Sequence, residues 1–267
     1  PYGAKIAICA RRAEKLQEVA DRIQQAGATP LVIACDLTSK EAAAGAVQQT
    51  IDTFGRIDIL VNNAGRGNLA SVEDTTTEQI KSMFELNVYP LFYTTAAALP
   101  VMKEHGRGHI INVASVAGKM AFPFNSAYVA AKHAVVGFTA ALRAELVETG
   151  VEATVICPDG VETSWAQVTE GGPIGEVFFR GIRKSRNIAL ELGLPLAPLQ
   201  PLMKPEAIAA IILRTILTPY GSDVFTHPGT YELSVEAAAN RSSLEQKFLP
   251  LYLGMREAYN ELRQPEK

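Results

Sequence analysis

A serine, a tyrosine and a lysine carry the chemistry this sequence could do. Ser115 ends the run Ile110-Ile-Asn-Val-Ala-Ser115, and Tyr128-Val-Ala-Ala-Lys132 opens a segment from Asn125 to Val147 with helical periodicity and many helix formers. Residues four apart share a helix face, roughly 6 Å apart along the axis, so the Tyr128 phenol and the Lys132 ammonium are expected side by side. A fixed ammonium favours the phenolate and is a route to a pKa lowered from about 10 toward neutrality. Tyr128 would then give or take a proton near pH 7, with Ser115 presented at a strand end beside it.

Those side chains need a scaffold, and the chain alternates between two periodicities that supply one. Short apolar runs at Lys5–Ala10, 30–34, 57–61, 110–114 and 152–157 read as buried strands, and 223–226 resembles a last one. Between them lie helical patterns: from Arg11-Arg12 to about Ala26, where Gly27 stops it; from Ser39, a plausible N-cap, to Phe54; from Thr76 to about Met102 as one long helix; and from Pro205 to about Leu217. Strands alternating with helices of this length make right-handed βαβ units and a parallel sheet, an α/β fold. The long helix carries Asn87, and an Asn inside a helix on a buried face is unfavourable by propensity, which hints at a role.

The bulk properties narrow the classes. The chain has 267 residues, enough for one α/β domain without staples, with 48% hydrophobic residues and a net charge of −3. Nothing is basic enough to suggest a nucleic-acid partner. No apolar run reaches the roughly 20 residues of a membrane helix. Cys9, Cys35 and Cys157 each fall at or near the end of a strand-like run. An odd, scattered and buried set suggests reduced thiols and a cytoplasmic setting.

Ser115, Tyr128 and Lys132, with twelve and then three residues between them, resemble the catalytic signature of the short-chain dehydrogenase/reductase family. Four other stretches resemble it too. Asn62-Asn63-Ala64-Gly65 closes the third strand, and the resemblance implies a small-residue turn that lets Asn63, Ala64 and Gly65 approach the cofactor. Asp36-Leu37 stands where the family touches the adenine. Asn87 stands where the family's Asn bends a helix and holds a water in a proton relay. Pro158-Asp-Gly-Val161-Glu-Thr163 resembles the turn that frames the nicotinamide, with Thr163 bonding its carboxamide. Asp159 replaces the usual Gly, and Gly160 is expected to take over the permissive backbone conformation.

The resemblance implies a single Rossmann-like, doubly wound parallel sheet over residues 1–267, with 164–204 as the variable substrate lid. An amphipathic tail at 241–263 extends the core, either as a subunit contact or as support for the lid. One family feature has no counterpart: the first strand and the Thr-Gly-x-x-x-Gly-x-Gly turn that cradles the pyrophosphate. Gly3-Ala4 leads straight into what resembles the second strand, so the expectation is a fold trimmed at its N-terminus, without its central strand.

The activity implied is interconversion of a secondary alcohol and a ketone by hydride transfer. Tyr128 would be the general acid/base, Ser115 would orient the carbonyl oxygen, Lys132 would hold the nicotinamide ribose and Asn87 would place the relay water. NADP is the expected cofactor, with NAD as the alternative, because Arg11 and Arg12 follow the second strand of the family where NAD-preferring members carry an acid. No metal is implied. The lid's Trp165, Val177, Phe178 and Phe179 favour an apolar small-molecule substrate. Ala130, Ala134, Gly137 and Ala141, three or four apart, permit the close helix approach of a homodimer or homotetramer. The competing expectation is a catalytically inactive or regulatory relative that keeps the fold without the pyrophosphate loop.

Overall fold

In a computed structural model of the chain, which describes residues 3–263 apart from 198, 220, 228 and 240, the alternation resolves much as the periodicities require. In order the elements are β1 (Lys5–Ala10), α1 (Ala13–Gln25), β2 (Thr29–Ala34), α2 (Lys40–Phe54), β3 (Ile59–Asn62), α3 (Thr77–Asn87), α4 (Tyr89–Glu104), β4 (Gly108–Val113), α5 (Ser126–Glu145), β5 (Val151–Cys157), α6 (Ile174–Leu192), α7 (Pro205–Leu217), β6 (Val224–Phe225), α8 (Thr230–Ala239) and α9 (Arg241–Arg263). Short 3-10 turns occupy Val116–Gly118 and Ser164–Gln167. Ser39 caps α2 by accepting the Ala42 amide, and Gly55 ends it in the left-handed region.

The long helix expected from Thr76 is two helices. Thr76 and Gln79 form a capping box at the start of α3. The helix then breaks at Val88, with φ −121° and ψ −56°. Pro90 supplies the reason: proline fits the first turn of a helix, where its missing N–H is not needed, but not an interior. Asn87 is therefore the last residue of α3 rather than a residue in mid-helix.

Among the described residues all strand pairing is parallel, and it falls into two sheets. β1 pairs with β2, and β3, β4, β5 and β6 pair in that order. Among the described residues no ladder joins β1 to β3. Burial follows the division. Ile110, Ile111, Val155 and Ile156 on β4 and β5 are fully buried, whereas Val61 on β3 is 39% exposed and the middle of β1 is half-buried. Helix α1 packs on β1 and β2, α4 on β3 and β4, and α5 on β4 and β5. Val47, Ala98, Met102, Ile110, Leu142 and Val151 form a core from α2, α4, β4, α5 and β5.

The tail packs on α6. Phe248, Leu251, Met255, Ala258 and Tyr259 of α9 share a core with Ile174 and Val177 of α6. The two backbones meet at glycines: a Cβ on Gly254 would stand 2.4 Å from the Gly181 carbonyl oxygen. The cysteines depart from the expectation of a scattered, buried set. Cys157 is fully buried, but Cys9 and Cys35 are half-buried and adjacent, with 2.8 Å between their sulfurs, because β1 and β2 are neighbours in one ladder.

Candidate functional site

Ser115 leaves β4 with extended backbone, φ −177° and ψ 163°. Its Oγ accepts the Ala117 amide at 3.1 Å and donates to the Pro158 carbonyl at 3.5 Å, and its side chain also hydrogen-bonds that of Tyr128. Tyr128 sits in the first turn of α5, where amides lack intrahelical partners. Asn125, at the N-cap, makes no side-chain cap bond. Asn68 does that work from a distant loop: its Oδ1 accepts the Tyr128 amide at 3.1 Å, and its side chain is fully buried.

Lys132, one turn on, donates from Nζ to the Val113 carbonyl at 3.0 Å. Asn87 faces it across the turn after β3. Asn87 Nδ2 donates to the carbonyls of Met83 at 2.9 Å and Arg66 at 3.1 Å, and its Oδ1 accepts the Arg66 amide at 3.3 Å. Gly65 lies between them: a Cβ there would be 2.6 Å from Asn87 Oδ1 and 3.4 Å from Lys132 Nζ. Asn87, Ser115, Tyr128 and Lys132 thus converge, with Gly65 and the Pro158 carbonyl beside them.

The electrostatics differ from the expectation of a depressed phenol. Burial pushes the Tyr128 phenol up to about 12, opposed by its bond with Ser115. Burial lowers Lys132 to about 8, opposed by the charge of Cys157. The ammonium lies 5.7 Å from the centroid of the Tyr128 ring, over the ring, and burial dominates both groups. Burial therefore keeps the Tyr128 phenol neutral at neutral pH, beside a lysine that changes charge near pH 8.

Trp165, from the 3-10 turn at Ser164–Gln167, packs on this centre. The Trp165 ring lies 5.2 Å from that of Tyr128, tilted by 54°, and a Cβ on Gly67 would stand 2.3 Å from Trp165 Cζ2. Glu170 ties the lid down. It pairs with Arg66 at 3.0 Å, accepts the Ser82 hydroxyl at 2.8 Å, and exchanges backbone bonds with Gly67 and Leu69. Thr163 accepts the Trp165 amide at 3.3 Å.

The Pro158 turn shows why Asp replaces Gly. Asp159 Oδ2 accepts the Thr230 hydroxyl at 2.6 Å, at the start of α8, and its amide donates to Thr226 Oγ1 at 3.2 Å. Gly160 does not take up a positive φ. Instead a Cβ at that position would meet Leu202 Cδ2 at 2.5 Å, because 160–162 pair with Met203, and Val161 bridges to it.

The remaining candidates lie on the other sheet, at the ends of β1 and β2. Arg11 and Arg12 are exposed, and Arg12 stands at the N-cap of α1 without a side-chain cap bond. The Asp36 carboxylate accepts both the amide and the hydroxyl of Thr38, at 3.0 and 2.9 Å, which holds its pKa below the usual carboxylate range, helped by the charges of Arg11 and Arg66. Leu37 follows it, half-buried.

Sequence reasoning missed three features: Asn68, the Arg66–Ser82–Glu170 tie, and a buried chain of side chains through the second sheet. In that chain Thr94 donates to Asn62 at 2.8 Å, Asn62 to Asn112 at 2.9 Å, and Asn112 to Thr139 at 2.9 Å, linking α4, β3, β4 and α5. Asn112 had a legible signal, a polar residue inside the apolar run of β4. Asn68 had none, because its partner is 60 residues away.

Comparison with known proteins gives the family and the fold. The rat dehydrogenase/reductase SDR family member 7B is 38% identical over 168 residues, 61% of this chain and 52% of that protein, so the chain spans about half of that relative's length. The oxidoreductase BOA17 of Botryotinia fuckeliana is 32% identical over 226 residues, 77% of this chain and 82% of that protein. An alcohol dehydrogenase from Thermococcus sibiricus, solved with 5-hydroxy-NADP, shares the Rossmann-type fold with a TM-score of 0.67 at 21% identity, over 84% of this chain and 85% of that one. The profile of the family described as short chain dehydrogenase matches residues 1–171. The chain belongs to the short-chain dehydrogenase family.

Proposed function

We propose that the protein is an NADP-dependent oxidoreductase that interconverts a ketone and a secondary alcohol. The observation that carries this reading is the convergence of Ser115, Lys132 and Asn87 on a buried, protonated Tyr128. When bound, a nicotinamide dinucleotide supplies or accepts the hydride. In the reductive direction the neutral phenol of Tyr128 donates its proton to the developing alkoxide, and Ser115 Oγ holds the same oxygen by a hydrogen bond. The Lys132 ammonium favours the phenolate left behind and bonds the nicotinamide ribose. Asn87 places a water that returns a proton toward Lys132.

The residues present fit such a cofactor at its two ends. Lys132 is buried with its ammonium beside the turn that Gly65 keeps free of a side chain, and by the family resemblance Asn63, Ala64, Pro158, Val161 and Thr163 would hold the nicotinamide end. Arg11 and Arg12 offer exposed guanidinium groups to an adenosine 2′-phosphate, with Asp36 and Leu37 beside the base.

The lid's apolar side chains around Trp165 favour an apolar carbonyl substrate. A homodimer or homotetramer is supported by exposed Tyr89 and Phe92 on α4 and by Gly137 on α5, where an added Cβ would meet nothing within 4 Å. Among the described residues no helix is long and apolar enough to cross a membrane, and we place the protein in the cytoplasm. The deciding experiment incubates the full gene product with deuterium-labelled NADPH and a panel of apolar ketones. Deuterium at the carbinol carbon of a product supports the reading, and NADPH left intact across the panel contradicts it.

A further inference from the structure

Two nucleophilic side chains outside the proposed mechanism lie closer together than any other pair of cysteines. Cys9 ends the apolar run of β1, and Cys35 follows the last residue of β2. The strands pair in parallel with Ala10 opposite Ala34, and the Cys35 amide donates to the Ala10 carbonyl at 3.0 Å. This brings the two sulfurs to 2.8 Å, with one thiol hydrogen-bonded to the other. A disulfide places its sulfurs about 2.0 Å apart, so closure needs a shift of roughly 0.8 Å, within reach of side-chain torsions. Both residues are half-buried, so a small oxidant has a route to them, whereas Cys157 is fully buried among other side chains. Burial and the neighbouring Cys35 push Cys9 up to about 12. The Cys9 thiol therefore keeps its proton at neutral pH.

We propose that Cys9 and Cys35 are a site of reversible oxidation, closing to an intramolecular disulfide that ties the ends of β1 and β2 and weakens cofactor binding. The oxidant is a hydroperoxide. One of the two sulfurs attacks the peroxide oxygen, the O–O bond breaks, and that cysteine becomes a sulfenic acid as its thiol proton leaves with the departing hydroxide as water. The other sulfur then attacks the sulfenic sulfur, the S–O bond breaks, and its proton leaves with the second hydroxide as water. Two thiols are oxidised, one peroxide is reduced, and a dithiol reductant reverses the bond by exchange.

The effect on cofactor rests on the reading of Arg11, Arg12, Asp36 and Leu37 as the adenosine end. Those residues follow Cys9 and Cys35 almost directly in sequence, so a bond that draws the strand ends together shifts the groups meant to hold one ligand. Coupling of this kind is reciprocal: bound cofactor must slow the oxidation by the same antagonism.

The test uses the full gene product, treated with hydrogen peroxide and mapped by peptide mass spectrometry. The expected result is a Cys9–Cys35 bridged peptide, two thiols lost per chain, reversal by dithiothreitol, and no bridge in Cys9→Ser or Cys35→Ser. Unreacted thiols, separate irreversible oxidation of the two, or bridging to Cys157 instead would overturn the site. A severalfold slower bridge formation with saturating NADPH is expected, and equal rates would overturn the antagonism. NADPH binding to the reduced protein, followed by fluorescence, tests the cofactor reading separately: if reduced protein binds none, that reading falls while the bridge is judged on its own peptide.

Discussion

Asn68 Oδ1 accepts the backbone N–H of Tyr128 at 3.1 Å, so the proposed proton donor is fixed by a loop 60 residues upstream rather than by a cap of its own helix. The bond ties the turn after β3 to the first turn of α5. Replacing an N-terminal side-chain acceptor by Ala costs about 0.5–2 kcal/mol, and the full burial of Asn68 places this bond toward the upper end. Asn68→Ala should lower the thermal midpoint and also reduce kcat with little change in KM for cofactor. Asn68→Asp, which keeps the acceptor, should recover most of the midpoint. A kcat in Asn68→Ala equal to the parent's would show that the bond does not position Tyr128.

The pKa of Lys132 gives a stability prediction with a definite sign. Burial lowers it to about 8 from an ordinary 10.5. Between those values the unfolded chain binds a proton that the folded chain does not, so this group makes the protein more stable as pH rises from about 8 to 10.5. Tyr128 acts oppositely: raised to about 12 from 10.0, it withdraws stability above pH 10. In chemical denaturation, Lys132→Met should remove the rise above pH 8. An unchanged slope in the variant would mean that another group titrates there.

Asp159 occupies a place where the resemblance calls for glycine, and its carboxylate receives the Thr230 hydroxyl. Thr230 is 1% exposed, so removing its acceptor leaves a buried hydroxyl unpaired, at about 1–3 kcal/mol. Asp159→Gly should therefore destabilise the protein, despite restoring the commoner residue, and Asp159→Asn should be milder. Thermal unfolding of the two variants decides this, and a more stable Asp159→Gly would contradict it.

Arg11 and Arg12 make the cofactor preference measurable. Replacing both with Ala should raise KM for NADP strongly and for NAD little, since only the 2′-phosphate loses its charge-assisted hydrogen bonds. Steady-state kinetics of the full gene product with each cofactor provide the comparison. Equal use of NAD and NADP by the parent would already refute the preference.

Much of the fold was legible because it is written in local periodicity. The strand from Lys5 to Ala10, the helix from Pro205 to Leu217 and the Ser39 cap fall where apolar spacing and cap chemistry put them. The approach of Ser115, Tyr128 and Lys132 to one another was legible through their spacing, but their electrostatics were not. Whether an ammonium lowers a phenol or burial raises it depends on how much solvent each loses, and no local pattern records that. The break at Val88 was available in Pro90 and was overridden by the run of helix formers around it. Asn68, the Glu170 tie and the Cys9–Cys35 contact each join residues far apart in sequence. Only the parallel pairing of the strands and the packing of 164–170 against 66–69 bring them together.

The central claim is that the Tyr128 phenol moves the proton. Tyr128→Phe keeps the ring against Trp165 and removes only the hydroxyl, so packing and cofactor binding should be largely preserved. Turnover of a ketone by the full gene product should fall by a factor of the order of 10²–10⁴, as for loss of a general acid, while the NADPH dissociation constant stays within a few-fold of the parent's. Turnover within a few-fold of the parent, with the same NADPH affinity, would contradict the account.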